Sequence, residues 1–135
     1  MSTEPGVVLG LNAAFQRRVA FEKPVVIGAV NRAAESGGGV GGKGQGAYLA
    51  AAAARPGSVA LAQFYGGDAG DALAEALRKR APGADEALWI RTASQTRICT
   101  TLVAGGDATE IVEPSGAVTA SEPRAASRCV RDLFL

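Results

Sequence analysis

The sequence predicts an α/β fold with a parallel core sheet, and three observations predict it. Short apolar, β-rich runs at residues 7–11 (VVLGL), 58–65 (SVALAQFY) and 87–91 (ALWIR) read as buried strands. Stretches of strong helix formers stand between or after them, at 46–55, 69–80 and 121–135. Strands that alternate with helices point to parallel pairing through right-handed crossovers. A chain of 135 residues that is 47% hydrophobic is long enough for one domain with a real core, and no internal repeat or linker divides it.

Each element follows from local chemistry. The run 7–11 ends at Asn12, a turn former. Residues 15–21 and 25–34 mix strand formers with polar residues and are separated at Lys23-Pro24, so they are expected as two half-exposed strands of a small flap outside the main core. Residues 37–46 are expected as a loop, because seven of the ten are glycine. The alanine-rich stretch 46–55 stops at Arg55-Pro56-Gly57, where proline disfavours helix in the residue before it. The next core strand, 58–65, leads into Gly66-Gly67-Asp68; Asp68 is the expected N-cap of helix 69–80, whose Leu73, Ala76, Leu77 and Arg80 follow helical spacing. After strand 87–91, residues 97–103 and 109–112 flank Gly105-Gly106-Asp107 as a hairpin. The segment 121–135 opens on the capping-type Ser121 and carries Cys129, Val130, Leu133 and Phe134 at helical spacing.

Composition excludes several partners. With 14 Lys+Arg against 13 Asp+Glu, and no cluster of basic residues interleaved with aromatics, there is no electrostatic footprint for nucleic acid. Cys99 and Cys129 stand far apart in a chain without histidine, so the usual four-ligand zinc set is lacking and free thiols in a reducing compartment are expected. The N-terminus lacks a basic segment followed by an apolar one, and no apolar run approaches the ~20 residues of a bilayer span. The expectation is a cytoplasmic protein with no membrane partner.

The chemistry concentrates in GGGVGGKGQG at 37–46. A glycine-rich loop with a lysine that opens a helix suits an anion, because glycines admit close backbone approach and helix amides point outward at the positive dipole end. Three readings compete: a nucleotide loop, a clamp on a phosphorylated or hydroxyl-rich substrate, or a plain tight turn. Gly37, Gly39 and Gly42 satisfy G-x-G-x-x-G, which such a glycine content nearly guarantees. Gly37 to Lys43 satisfies G-x-x-x-x-G-K, but Gly44 stands where a P-loop needs Ser or Thr for Mg²⁺, and NRAAES before it is too polar for the buried strand that delivers a P-loop.

Several motifs occur in one order along the chain: Leu11-Asn12-Ala13-Ala14-Phe15-Gln16, Val30-Asn31-Arg32, Gly41-Gly42-Lys43-Gly44, Gly66-Gly67-Asp68-Ala69-Gly70, Thr96-Arg97 and Glu113-Pro114-Ser115-Gly116. In this the chain resembles PfkB-type (ribokinase-like) carbohydrate kinases over residues 7–120, most of all the 1-phosphofructokinase and tagatose-6-phosphate kinase branch. The resemblance implies a ribokinase-like parallel-sheet core with a small β lid, its strands in about 13–36 and 96–112, with residues 1–135 as the N-terminal part of one kinase domain and the C-terminal half missing. It implies phosphoryl transfer from Mg-ATP to a hydroxyl of a sugar or sugar phosphate. The substrate-contacting positions carried over are Asn12, Gln16, Gly41, Gly42, Lys43, Gly46, Arg97 and Glu113, with the Arg97 fork suited to a substrate phosphate.

Departures from the family pattern bear on substrate. Ala13 and Gln16 replace the proline and aspartate of Asn-Pro-x-x-Asp, Gly46 replaces the asparagine of Gly-Gly-Lys-Gly-x-Asn, and Cys99 replaces the asparagine of Thr-Arg-x-Asn. The family's catalytic aspartate lies in a late Gly-Ala-Gly-Asp motif. Gly67-Asp68-Ala69-Gly70-Asp71 imitates that string too early in the chain, so Asp68 is expected as a cap and Asp71 as a first-turn acid. No catalytic, cofactor-binding or metal-binding residue is assigned, the ATP site lies outside this chain, and the chain alone is expected to be inactive. The alternative is a non-catalytic module that binds sugar phosphate or dimerises through the lid.

Overall fold

The computed structural model describes residues 6–132. The elements are β1 (Gly6–Gly10), β2 (Ala14–Phe21), β3 (Glu35–Gly41), α1 (Lys43–Ala54), β4 (Val59–Tyr65), α2 (Gly67–Arg80), β5 (Trp89–Arg91), β6 (Arg97–Ala104), β7 (Asp107–Val112) and α3 (Ser121–Asp132). They form an α/β fold with two sheets. The core sheet has the order β1-β4-β5 and is parallel throughout, with Val8 opposite Leu61 and Gln63 opposite Trp89. Parallel neighbours need a crossover, and α1 and α2 supply it.

These helices bury small and aliphatic residues against the sheet. In α2 the buried Ala69, Leu73, Ala74 and Leu77 recur at three- and four-residue intervals, which places them on one face. Tyr48 and Leu49 of α1 join Leu61, Leu73, Leu77 and Trp89 in one cluster. Two exposed arginine pairs frame the β5 side: Arg78 with Glu86, and Arg91 with Asp71. The guanidinium of Arg78 also lies 5.7 Å from the Trp89 ring centroid, and that of Arg91 5.5 Å from Tyr65.

The second sheet has the order β3-β2-β6-β7, in which β2 and β6 run parallel and both outer pairs run antiparallel. Gly105 and Gly106 close the β6–β7 hairpin with both φ positive (60° and 88°), as a two-residue primed turn requires.

The structure corrects the expected flap. Residues 25–34 form no strand. Asn31 accepts the Val26 N–H through Oδ1 (2.8 Å) and donates to the Val26 and Ala29 carbonyls, so one side chain closes a local turn in place of a ladder. The strand that pairs with β2 is β3, which contains Gly37, Gly38 and Gly39 and so replaces half of the expected glycine loop. Glycine disfavours strands, but the Phe15 ring of β2 lies over Gly38 in the space a Cβ would take, and an aromatic packed on bare backbone restores the lost contact.

Helix starts also differ from expectation. Helix α1 begins at Lys43, three residues before 46, because Gly42 turns the chain at φ 95°. Helix α2 is capped by Gly66, whose N–H donates to the Thr96 hydroxyl (3.0 Å). Asp68 therefore sits in the first turn and not at the cap, and Asp71 lies beyond the first turn, held by Arg91 (Nη2 to Oδ2, 3.0 Å). That hydrogen bond and charge hold the Asp71 carboxyl below its ordinary value. At the start of α3 the Glu122 carboxylate accepts the N–H groups of Thr119 and Ala93, and the Ser121 hydroxyl lies 3.2 Å from that of Thr119. Cys99 is buried and free. The side chains of Cys129 and Val130, and Leu133 and Phe134 altogether, lie outside the described residues. Among the described residues no helix is long and apolar enough to cross a membrane.

Candidate functional site

In open parallel sheets, ligands bind beyond the carboxyl ends of the strands, where connections diverge. Here β1 ends at Gly10, the chain leaves through Leu11 and Asn12 for the second sheet, and α1 returns across the same end. The return is tight. A Cβ on Gly44 would sit 2.5 Å from the Gly10 Cα and 2.9 Å from the Leu9 carbonyl oxygen, so only glycine fits. One residue on, the buried Gln45 donates from Nε2 to the Gly10 carbonyl (2.8 Å) and to Oε1 of the buried Gln63 on β4 (3.1 Å).

The result is a cavity of about 320 Å³ floored by Gly10, Gly44 and Gln45, with Leu9 and Leu11 as apolar wall and Asn12, Lys43 and Arg97 as its polar groups. Arg97 arrives as the first residue of β6, in register with Ala14 at the start of β2. Its Nε is buried and has no hydrogen-bond partner within the described protein. Asn12 is oriented by Ser115, whose hydroxyl donates to Asn12 Oδ1 (2.6 Å). Two cationic side chains and the N-terminus of α1 face this space, and among the described residues no carboxylate lines it. Cations beside a helix N-terminus are groups that suit an anion.

Three of the eight carried-over residues, Asn12, Lys43 and Arg97, thus line one cavity. Gly41 and Gly42 form the approach to Lys43: a Cβ on Gly41 would lie 2.9 Å from the Ala14 carbonyl oxygen, and Gly42 supplies the positive φ before the helix. The other three lie elsewhere. Gln16 faces along the second sheet and donates to the Thr101 hydroxyl (2.8 Å), with Gly39 and Cys99 as its cross-strand neighbours. Gly46 is exposed, with nothing near the position of a Cβ. Glu113 accepts the Ile98 N–H (2.9 Å) and extends the β6–β7 ladder. Sequence reasoning missed Gln45 and Gln63; the one signal was Gln63, a polar residue inside the apolar run VALAQFY.

The P-loop reading fails on geometry. The Gly44 position is filled by the β1 backbone, and no carboxylate or hydroxyl of this loop is placed to hold Mg²⁺. ATP does not fit these residues.

No protein-family model and no curated protein matches the sequence. Solved structures do. Phosphofructokinase-2 from Escherichia coli in complex with fructose-6-phosphate superposes with a TM-score of 0.79 at 18% identity, covering 95% of this chain and 41% of that one. A possible 1-phosphofructokinase from Thermotoga maritima gives 0.72 at 23% identity, covering 90% and 39%. Ribokinase from Cryptococcus neoformans in complex with ADP gives 0.60 at 22%, covering 82% and 34%.

The fold is ribokinase-like. It is the N-terminal portion of that fold, and the chain spans about two fifths of the length of the phosphofructokinases it resembles. A tetrameric inhibited form of the E. coli enzyme is also similar, with a TM-score of 0.81 at 20% identity.

The close approach at Gly44 has a direct test. Gly44→Ser, the P-loop residue, forces backbone apart and should cost about 1–3 kcal/mol of stability by urea denaturation. Gly46→Asn, which enters open space three residues from the helix start, should change it by less than about 0.5 kcal/mol. Equal effects of the two would contradict the packing described.

Proposed function

We propose that this chain is the substrate-side portion of a PfkB-type carbohydrate kinase of the phosphofructokinase branch, and that the cavity at Asn12, Lys43 and Arg97 receives the phosphate of a sugar phosphate. The observation that carries this reading is the convergence of two cations and a helix N-terminus on one cavity with no carboxylate. The Arg97 fork donates two parallel hydrogen bonds to phosphate, Lys43 adds a point charge, and Asn12 offers its amide N–H groups while Ser115 holds its oxygen. The second sheet serves as the lid, with β6 carrying Arg97 and β2 joining it to the core.

Transfer of a phosphoryl group needs a positioned base and a cradle for the moving charge. The only early aspartates that imitate the family's catalytic string, Asp68 and Asp71, belong to α2, and Asp71 is engaged by Arg91. The chain alone therefore binds substrate and does not phosphorylate it; the base and the Mg-ATP site belong to parts of the fold beyond these residues. A cytoplasmic location, where sugar phosphates and ATP are found together, goes with this reading.

Calorimetric titration with fructose 1-phosphate and fructose 6-phosphate tests it. Binding of at least one is expected, and Arg97→Ala should weaken it about tenfold or more, the usual effect of losing a charge-assisted hydrogen bond. Affinity unchanged in Arg97→Ala, or ATP-dependent turnover by the chain alone, would overturn the proposal.

A second reading, assembly of two copies through the lid, is favoured by apolar side chains on the lid surface. Ile27 is 94% exposed and Val30 82%, beside the exposed Val26 and Ile111. Lone exposed apolar residues are ordinary, but here Ile27 and Ile111 line one surface depression and Val26 and Val30 another, and clustered apolar surface marks a contact region. Sedimentation velocity should show a concentration-dependent dimer that Ile27→Asp converts to monomer. A wild-type chain that stays monomeric at high micromolar concentration would exclude this assembly.

A further inference from the structure

A recess of about 40 Å³ adjoins the cavity of Asn12, Lys43 and Arg97, and the two share Leu11, Asn12 and Arg97 as lining residues. It has room for about three water-sized groups, too little for a sugar ring or a second phosphate. Its far side is built by Thr92 and Ser94 of the loop between β5 and β6, and by Ser115, Gly116 and Ala117 after β7. These two segments are seated closely: a Cβ on Gly116 would lie 2.6 Å from the Ser94 Cβ.

The hydroxyls that line this recess have already committed their protons. Thr92 donates to the Ser94 carbonyl (2.9 Å), Ser94 to the Ala117 carbonyl, and Ser115 to Asn12 Oδ1 (2.6 Å). A hydroxyl has one proton, so each of the three retains only the capacity to accept. Arg97, on the side shared with the larger cavity, has only donors. A group that donates to the hydroxyl oxygens and accepts from the guanidinium satisfies both sides, and an alcohol does this. A phosphate dianion or a carboxylate accepts only, and would set oxygen against oxygen on the far side.

We propose that this recess is a hydroxyl subsite: the ligand whose phosphate enters the larger cavity places an alcohol group of its own here, donating to the oxygens of Thr92, Ser94 or Ser115. The inference rests on the reading of the larger cavity as a phosphate site and narrows the ligand to a phosphate ester with a free hydroxyl within short reach of the phosphate. Asn12 and Arg97 stand between the two spaces and touch both ends of such a ligand. The loop 92–96 and the segment after β7 thereby become determinants of specificity, separate from the cations that supply affinity for phosphate.

Proton–nitrogen NMR titration of the intact chain with n-propyl phosphate and glycerol 3-phosphate, which share a carbon skeleton and differ in their hydroxyls, tests the subsite. Both should bind, glycerol 3-phosphate about fivefold or more tightly, the scale of one neutral hydrogen bond. Glycerol 3-phosphate alone should shift the amides of Ser94, Gln95, Gly116 and Ala117. At least one of Thr92→Val, Ser94→Ala and Ser115→Ala should bring the two affinities to within about twofold of each other, the loss of that hydrogen bond. Equal affinities in the wild-type chain, no shift at those four amides, or a preference kept in all three variants would overturn the subsite and leave the phosphate reading intact. Failure of both ligands to bind would overturn the phosphate reading, and the subsite with it.

Discussion

The arrangement of this molecule depends on a single close crossing of backbone: the first turn of α1 lies against the end of β1, Gly44 on Gly10, with no side chain between them. Glycine at both positions brings the helix to the strand, and the contact is then held by Gln45, which reaches the carbonyl of Gly10 that the end of the strand leaves free. Gln63 of the neighbouring strand accepts the second proton of the same amide. A buried amide that joins β1, α1 and β4 leaves little freedom in how the helix N-terminus is placed. Lys43, at the start of that helix, is brought beside Asn12 for this reason.

The remaining cation reaches the same place by a different route. Strand β2 leaves the core immediately after Ala13 and pairs in parallel with β6, and the register sets Ala14 beside Arg97. Both Ala13 and Ala14 are buried, which leaves no slack between the end of β1 and the second sheet. Ala13 packs into the core cluster with Tyr48 and Leu61. The cavity is thus made by two backbone constraints that meet at Asn12, one from the core sheet and one from the second sheet. Gln16, Gly46 and Cys99 do not line the cavity, so they and its three polar residues, Asn12, Lys43 and Arg97, occupy different parts of the structure.

Core elements were legible in the sequence because their signals were strong and local. The strands at β1 and β4 and the helices α1 and α2 follow from apolar runs, helical spacing and the breaks at Arg55-Pro56-Gly57 and Gly66-Gly67. The second sheet was half legible. The β6–β7 hairpin was signalled by Gly105-Gly106, whereas β3 was hidden because its stability comes from Phe15 on the partner strand and not from its own glycines. Residues 25–34 showed the reverse error, since their β-branched residues suggested a strand and Asn31 closes a turn instead. For the candidate site, ordered motifs singled out Asn12, Lys43 and Arg97, which line one cavity. They did not reveal that Glu113 and Gln16 would be used within the sheet, because hydrogen bonds between distant strands leave no trace in spacing.

The central claim is that the backbone crossing at Gly10 and Gly44 builds one anion cavity from Asn12, Lys43 and Arg97. The most direct measurement is a proton–nitrogen NMR titration of the isotope-labelled chain with fructose 6-phosphate, read residue by residue. The account predicts that the largest shifts fall together on the amides of Asn12, Lys43, Gly44 and Arg97, while those of Gly37, Gly38 and Gly39 in β3 stay nearly fixed. Shifts centred on Gly37 to Gly39, with Asn12 and Arg97 unmoved, would contradict it.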